Sequence, residues 1–552
     1  MSASQTIAKR PSDSPFSVPL FRGIWSANLV AQFGGQIQAV AAAWMMTSMH
    51  ASPQLIALVQ TSTTAPIVLF SLLAGALADG MDRRRVMICA QVFMLFTSAC
   101  LAVFTGLGLL SPWVLLCFTF LIACGNAFNM PAWQASVGDI VPRSILPNAV
   151  AMNGMGFNLA RSLGPALGGM LLAYFSAAVA FLVNAVSYIP LSIVLARWKP
   201  ERSPRSGPPE RLHYAMGAGL RYVAMSPSII RVLFRAALFG FAAAAIPALM
   251  PVVARDVLSG GPVVFGALSG AFGVGAVTGA FLGAMLRRKF ATETILRIAG
   301  LCVAIGALVS AVSHIQMFTM AALLAAGVGW VLGLSTCNVT VQMASPRWVV
   351  GRAISVYQMG MFGGMALGSW GFGFLAEHQG VSIALLASGG CQLLAVAAGL
   401  FAPLPKLEAL DLDPLGRWSE PETSVPVEPR SGPVFITVAY HIPPERLEAF
   451  HSAMAERRRI RRRDGAQGWH LMRDLARPDT WLEMYHVPTW ADYVRHNQRR
   501  TNADVENIDH LNSLHAGDGP PVVTRMLERQ SVGLLWGLGG SAPMMRGGEN
   551  EA

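Results

Sequence analysis

Hydrophobic residues along this chain come in long blocks, not in the alternating or one-in-four patterns of soluble strands and helices. A helix needs about 20 apolar residues to cross a bilayer core. Blocks of that length recur at about 24–48, 54–78, 86–108, 112–136, 148–173 and 176–196, and again at 228–253, 262–286, 293–312, 315–340, 353–376 and 380–401. The pattern predicts an all-α membrane protein of twelve transmembrane helices in two six-helix halves, 23–196 and 228–402. A polar loop, 197–227, divides the halves, and 1–22 forms a short N-terminal segment.

The turns between blocks are charged on one side only. Lys9, Arg10 and Arg22 precede the first block, Arg83, Arg84 and Arg85 fill the 2–3 turn, and Arg143 lies in the 4–5 turn. Arg197, Lys199, Arg202, Arg205 and Arg211 mark the central loop, and Arg287, Arg288, Lys289, Arg347 and Arg352 the later even turns. The opposite turns carry chiefly Arg255. Cytoplasmic turns are enriched in Lys and Arg, so both termini are expected in the cytoplasm of a bacterial inner membrane. The N-terminus lacks a cleavable signal pattern, and the first span is expected to direct insertion.

Composition agrees. Charged residues make up 13% of the 552 and hydrophobic ones 53%, against roughly 25% charged in soluble domains. The formal charge of +11 resides in turns and one later patch, so topology explains it better than nucleic-acid binding. Seven cysteines stand singly within or beside apolar blocks. Neither a metal site nor a cofactor is expected. An ATP-driven pump is disfavoured by the lack of a Gly-rich loop ending in Gly-Lys-Ser/Thr.

The 2–3 turn reads GALADGMDRRRV from Gly75 to Val86. Asp79 and Asp82 with Arg83, Arg84 and Arg85 form either a gate whose ion pairs break between access states, or plain topology markers. Asp139, at the end of span four, is either a partner for those arginines or a helix-end charge. GAFLGAMLRRK, from Gly279 to Lys289, occupies the equivalent place in the second half without acids, which suggests two parallel repeats.

Span five carries Asn158, Arg161, Gly164, Pro165, Gly168 and Gly169. Small residues four apart let helices approach closely, and Pro165 interrupts the hydrogen-bond ladder. Arg161 in an apolar span is costly. It binds an anionic substrate group, braces the gate, or snorkels to the interface. Asn28, Gln32, Asn126, Asn129 and Gln358 are candidate cavity residues for substrate or coupling, alongside Gln36, Asn338 and Gln342. Trp44, Phe128, Trp133, Trp330 and Tyr357 offer aromatic walls suited to amphipathic molecules. No acid lies mid-span, so Asp79, Asp139 or the Glu377–His378 pair are the candidates for proton transfer.

These motifs resemble the major facilitator superfamily, whose 2–3 motif reads roughly Gly-x-Leu-Ala-Asp-x-x-Gly-Arg-Arg. Here Asp82 stands in for the usual glycine. The NLAR-x-x-GPALGG run and the turn of Val141, Pro142, Arg143, Leu146, Asn148 and Ala149 look like the enterobactin-exporter-like, transmembrane secretion effector branch. The resemblance covers about residues 15–402. It implies a secondary transporter that exports small molecules by alternating access, driven by the proton gradient. The same fold also serves importers.

After Phe401 the chain turns polar. Residues 403–431 read as a linker, 432–530 as a compact unit, and 531–552 as a disordered tail. Val434–Tyr440, a helix from Pro443 to Arg463, strands at 468–474 and 480–487, helices at 489–500 and 502–514, and a strand at 522–527 give βαββαβ. This order resembles the small cytoplasmic ferredoxin-like α+β domains of the antibiotic-biosynthesis-monooxygenase type. Such a domain implies a homodimer contact or regulation, with an oxygenase or ligand sensor as the alternative. His496 reads as a surface histidine. The run Arg457, Arg458, Arg459, Arg461, Arg462 and Arg463 reads as a solvated face or a lipid-headgroup contact.

Overall fold

The structure is a computed structural model that describes residues 14–142, 145–198, 212–346, 348–405, 418 and 420–528. It divides into two compact units, Met1–Asp413 and Pro414–Ala552.

The first unit is helical throughout. Its first half comprises α1 (Pro19–Ser48), α2 (Pro53–Gly80), α3 (Arg83–Gly106), α4 (Pro112–Ile140), α5 (Leu146–Tyr174) and α6 (Ala177–Arg197). A short α7 (Leu212–Ala224) precedes α8 (Pro227–Ala243) and α9 (Ala245–Val252). Then come α10 (Pro262–Leu286), α11 (Thr292–Val312), α12 (Gln316–Met343), α13 (Val350–Gln379) and α14 (Val381–Phe401). The starts obey local chemistry. Proline, whose fixed φ suits the first turn, opens α1, α2, α4, α8 and α10. Ser52 and Ser111 accept from the amides of Leu55 and Val114, and Asp82 accepts from Arg84 N at 3.0 Å. Gly380 ends α13 at φ +93°, a conformation open to glycine.

Among the described residues, nine helical stretches are long and apolar enough to cross a membrane: α2, α3, α4, α6, Pro227–Val257, α10, α11, α12 and α14. The long helices α1, α5 and α13 are 30, 29 and 30 residues but more polar. The expected seventh span is broken. Pro247 cannot donate to the Ala243 carbonyl four residues back, so α8 stops there and α9 begins. Ser388 Oγ of α14 donates to the neighbouring Ala242 carbonyl at 2.6 Å, satisfying backbone freed near the break. Beyond Pro251 the ladder loosens into a π turn, Val253–Val257.

Glycines set how closely the halves pack. A Cβ on Gly164 would meet the Gln36 side chain, and one on Gly168 would meet Val40 and Ile37, so both seat α5 on α1. A Cβ on Gly169 would meet the backbone of Gly266 in α10, across the boundary between the halves. The buried Pro165 stays within α5. α2 lies along α13 in the same way that α5 lies along α10. At the end holding Met46 and Ile56, one apolar cluster draws Ala41, Met46, Ile56 and Ala57 from the first half and Ala248, Leu249, Phe372 and Ala376 from the second. At the arginine-rich end, the cluster around Phe21, Trp133 and Leu195 draws, among the described residues, on the first half alone.

The second unit contains β1 (Val434–His441), α15 (Leu447–Asp464), β2 (Gln467–Arg473), β3 (Thr480–Val487), α16 (Trp490–Gln498), α17 (Val505–Leu514) and β4 (Val522–Leu527). The strands form one antiparallel sheet in the order β2-β3-β1-β4. Alternate residues of β1, from Val434 to Tyr440, are buried against Phe450, Met454, Tyr493, Leu511 and Leu514.

Candidate functional site

Three polar arrangements interrupt the apolar interior of the first unit. The first joins α3 to its neighbours. Arg83 Nη1 donates to Asp139 Oδ2 at 2.7 Å and to the Ala135 carbonyl at 3.0 Å, both on α4. Arg84 donates to the last carbonyls of α6, Leu195 O at 2.8 Å and Ala196 O at 2.7 Å. A cation there complements the negative end of that helix. Arg85 is exposed and stands 3.7 Å from Asp82. Asp79 lies in the last turn of α2, with its side chain outside the described residues, as are Arg143 and the side chain of Asn158. The structure therefore unites Arg83 with Asp139, and Asp82 with α3's own first turn.

The second arrangement lies in the other half. The second half's turn has no acid between Gly279 and Lys289, yet it is not without one nearby. Glu293, in the first turn of α11, sits inside the bundle. Its Oε1 takes bonds from Arg235 at 3.2 Å and Arg297 at 3.0 Å, and its Oε2 accepts from Leu404 N at 3.0 Å. Arg235, on α8, is 3% exposed. Arg297 also donates to Gly399 O near the end of α14 at 3.0 Å. Sequence reasoning passed over Arg235 and Arg297 because each looks like a lone charge in an apolar block.

The third lies in mid-bundle. Arg161 is fifteen residues after Leu146 and thirteen before Tyr174, about 20 Å from either helix end at 1.5 Å per residue. Its side chain reaches neither helix end. The guanidinium carbon sits 5.5 Å from the Trp330 ring and 6.0 Å from the Phe272 ring, both in the second half. Next to it, Ser162 Oγ donates to Gly273 O of α10 at 3.0 Å. Trp330 is 4% exposed, and its indole Nε1 is buried with no hydrogen-bond partner.

The other cavity candidates scatter. Asn28 and Asn129 are buried, Gln32 and Gln358 half-buried, and Asn126 exposed. The carbonyl oxygens of Gln32 and Asn129 are buried without partners. Asn338 and Gln342 bond to each other, and Trp44 stacks on Phe265 across the halves. Glu377 and His378 are exposed, and His378 contacts the Phe374 carbonyl of its own helix. A buried trio not anticipated from sequence, Gln38, Ser98 and Asn184, links α1, α3 and α6. Its spacing across three separate blocks leaves no linear signal.

The second unit also departs from expectation. His496 is 1% exposed, not a surface residue, because α16 turns it onto the sheet. Of the arginine run, Arg457, Arg461 and Arg463 are buried, so one face of α15 carries charge inward. Arg461 Nε donates to Glu483 Oε1 at 3.0 Å, as does Trp469 Nε1 at 3.0 Å. Arg463 pairs with Asp464 and Asp504. Burial pushes the Glu483 carboxyl up, but Arg461, Arg457 and these hydrogen bonds outweigh it and hold it at about 2. Burial, reinforced by Arg461 and Arg500, holds His496 well below its usual value, so its imidazole is neutral.

The family described as transmembrane secretion effector matches residues 11–532. The uncharacterised MFS-type transporter YfiS of Bacillus subtilis is 24% identical over 397 residues, 68% of this chain and 93% of that protein. The multidrug efflux pump Tap of Mycolicibacterium fortuitum is 26% identical over 401 residues, 70% of this chain and 96% of that protein. Among solved structures, a bacterial homologue of the human lysosomal transporter Spinster, in an inward-facing and unoccupied conformation, superposes with a TM-score of 0.56 at 16% identity. That match spans 70% of this chain and 97% of the other, and at this identity it speaks to the fold alone.

Proposed function

Because the chain belongs to the transmembrane secretion effector family, whose relatives are transporters of the major facilitator superfamily, we propose that it exports small amphipathic molecules across a bacterial inner membrane by alternating access, coupled to protons. The cargo class spans siderophores, drugs and metabolites. In this reading α1, α5 and α13 join the nine apolar stretches to make twelve spans. Their polar residues point to a shared interior, since polar groups facing lipid are costly. Both termini are cytoplasmic, as the arginine asymmetry favours.

The carrying observation is the unequal closure of the two ends. An apolar cluster spans both halves at the arginine-poor end, while the cluster around Phe21 and Trp133 stays within one half. This supports a state open to the cytoplasm. The exposed Arg83–Asp139 pair and the turn bearing Asp79 and Asp82 then act as the gate that forms when the cytoplasmic end closes. The efflux activity named for Tap favours export over import.

The tail acts as a pairing or regulatory module. Its strand order supports the ferredoxin-like reading, and the sheet face away from the helices presents Phe435, Met484 and the exposed Met472, Val522 and Met526, a face suited to a second copy.

The test is proton release from inside-out vesicles with an acidic interior, on adding catechol siderophores, lipophilic cations or aromatic antibiotics. Substrate-dependent release that disappears in Asp79→Asn vesicles is expected. Undiminished release by that variant overturns the gate. Cargo accumulating in the direction of import overturns the exporter.

A further inference from the structure

A half-buried cation in mid-bundle with no carboxylate partner among the described residues calls for an explanation, since a charge or donor withdrawn from water without a partner is costly. Among the described residues the acids of the first unit are engaged elsewhere or lie at helix ends. Asp139 pairs with Arg83, Asp256 with Arg255, and Glu293 with Arg235 and Arg297. Asp82 caps α3. Arg161 faces only the rings of Phe272 and Trp330, at 6.0 and 5.5 Å. A guanidinium over a ring face gains less than the loss of its hydrating water costs.

The same indole adds a second donor. Trp330 Nε1 is buried and bonded to nothing, and an indole N–H can only donate. Arg161 likewise only donates. A site made of donors alone selects an acceptor that carries negative charge. Its walls are the Phe272 and Trp330 rings, and Phe239 stacks on Trp330 at 6.1 Å and holds the indole in place. The arginine comes from the first half and both rings, one of them the donor-bearing indole, from the second, so a ligand bridging them senses how the halves are placed.

We infer that Arg161 and the Trp330 indole N–H form a subsite for the anionic group of an aromatic organic acid, with the Phe272 and Trp330 rings supplying the stacking surface. This rests on the transporter reading and narrows its cargo to amphipathic anions. Binding replaces the cation–π contact with a charge-assisted hydrogen bond and gives the indole N–H its missing acceptor.

The test uses the full chain in lipid nanodiscs and three probes of one shape: 2-naphthoate, 2-naphthamide and 2-naphthylmethylammonium. Binding is followed by tryptophan fluorescence and by thermal stabilisation. The expected order in wild type is naphthoate at least tenfold tighter than the amide, with the ammonium weakest. Arg161→Gln should abolish the preference for naphthoate over the amide. Arg161→Lys should retain part of it, and Trp330→Phe, which keeps a ring but loses the donor, should weaken naphthoate binding several-fold while leaving the amide unchanged. Equal binding of the three probes, a preference for the ammonium, or no saturable naphthoate binding by stable wild-type protein overturns the subsite. Loss of melting temperature in Arg161→Gln with the naphthoate preference intact also overturns it, and assigns Arg161 to bracing the halves. The outcomes separate from the transport reading. Selective naphthoate binding without movement of any cargo defeats the exporter and leaves the subsite standing. Export of cations undisturbed by Arg161→Gln, with no naphthoate selectivity, does the reverse.

Discussion

The two halves solve the same problem at their arginine-rich ends in opposite ways. In each, an arginine near the start of the third helix donates to the final carbonyls of the sixth: Arg84 to Leu195 and Ala196, and Arg297 to Gly399. The acids differ. In the first half Asp139 meets Arg83 with the two side chains 30% and 51% exposed. In the second Glu293, its side chain 13% exposed, lies between the buried Arg235 and the more open Arg297. An exposed pair is worth little and can break at little cost, whereas a buried pair that loses one partner leaves a stranded charge. The first half's pairs therefore suit a contact that opens and closes, and the second half's triad suits a fixed strut. The difference lies in the depth of the acid rather than in its presence.

Removing the strut should have the largest effect. Glu293→Ala strands Arg235 in the bundle, and a loss of about 3–5 kcal/mol is expected. It is read as a sharply lowered melting temperature or failure to recover folded protein, and a near-wild-type melt would place Glu293 in water after all. Arg297→Gln and Arg84→Gln compare the shared helix-end contact in the two settings. Each should cost roughly 0.3–2 kcal/mol, with the greater loss in the second half because Arg297 also serves Glu293. Equal losses would erase the contrast.

The tail extends the contrast to acid. Glu483 is held at about 2, so its contribution is complete above the unfolded carboxyl range and fades as pH falls toward 2. His496 is held neutral well below its usual value. The unfolded chain therefore takes up a proton that the folded one refuses once pH drops below about 6.5. Both signs agree: the tail should weaken on acidification, beginning near neutrality and steepening below about pH 4.5. Limited proteolysis of the full chain across pH 7 to 4, with cleavage mapped to 434–527, checks this. Flat protection would contradict the neutral histidine. Asp139→Asn should have the smallest effect on stability, under about 1 kcal/mol, while slowing transport. Unaltered cargo flux in that variant would make the Arg83–Asp139 pair decoration.

Hydrophobic block length alone located the long helices, because the bilayer requirement of about 20 apolar residues is a one-dimensional constraint. Predicted blocks such as 262–286 and 380–401 fall within a residue or so of α10 and α14. An alternating pattern placed the strand at 480–487. Proline and glycine marked most of the helix ends, since their effects are local to the backbone. Tertiary structure decided the rest. Whether Glu293 is a turn charge or a buried strut, whether Arg461 and His496 face water or a sheet, and what stands beside Arg161 all depend on contacts tens to hundreds of residues apart. Charge identity is written in the chain, but burial is a property of the neighbours that folding supplies, and burial governs what each charge is worth.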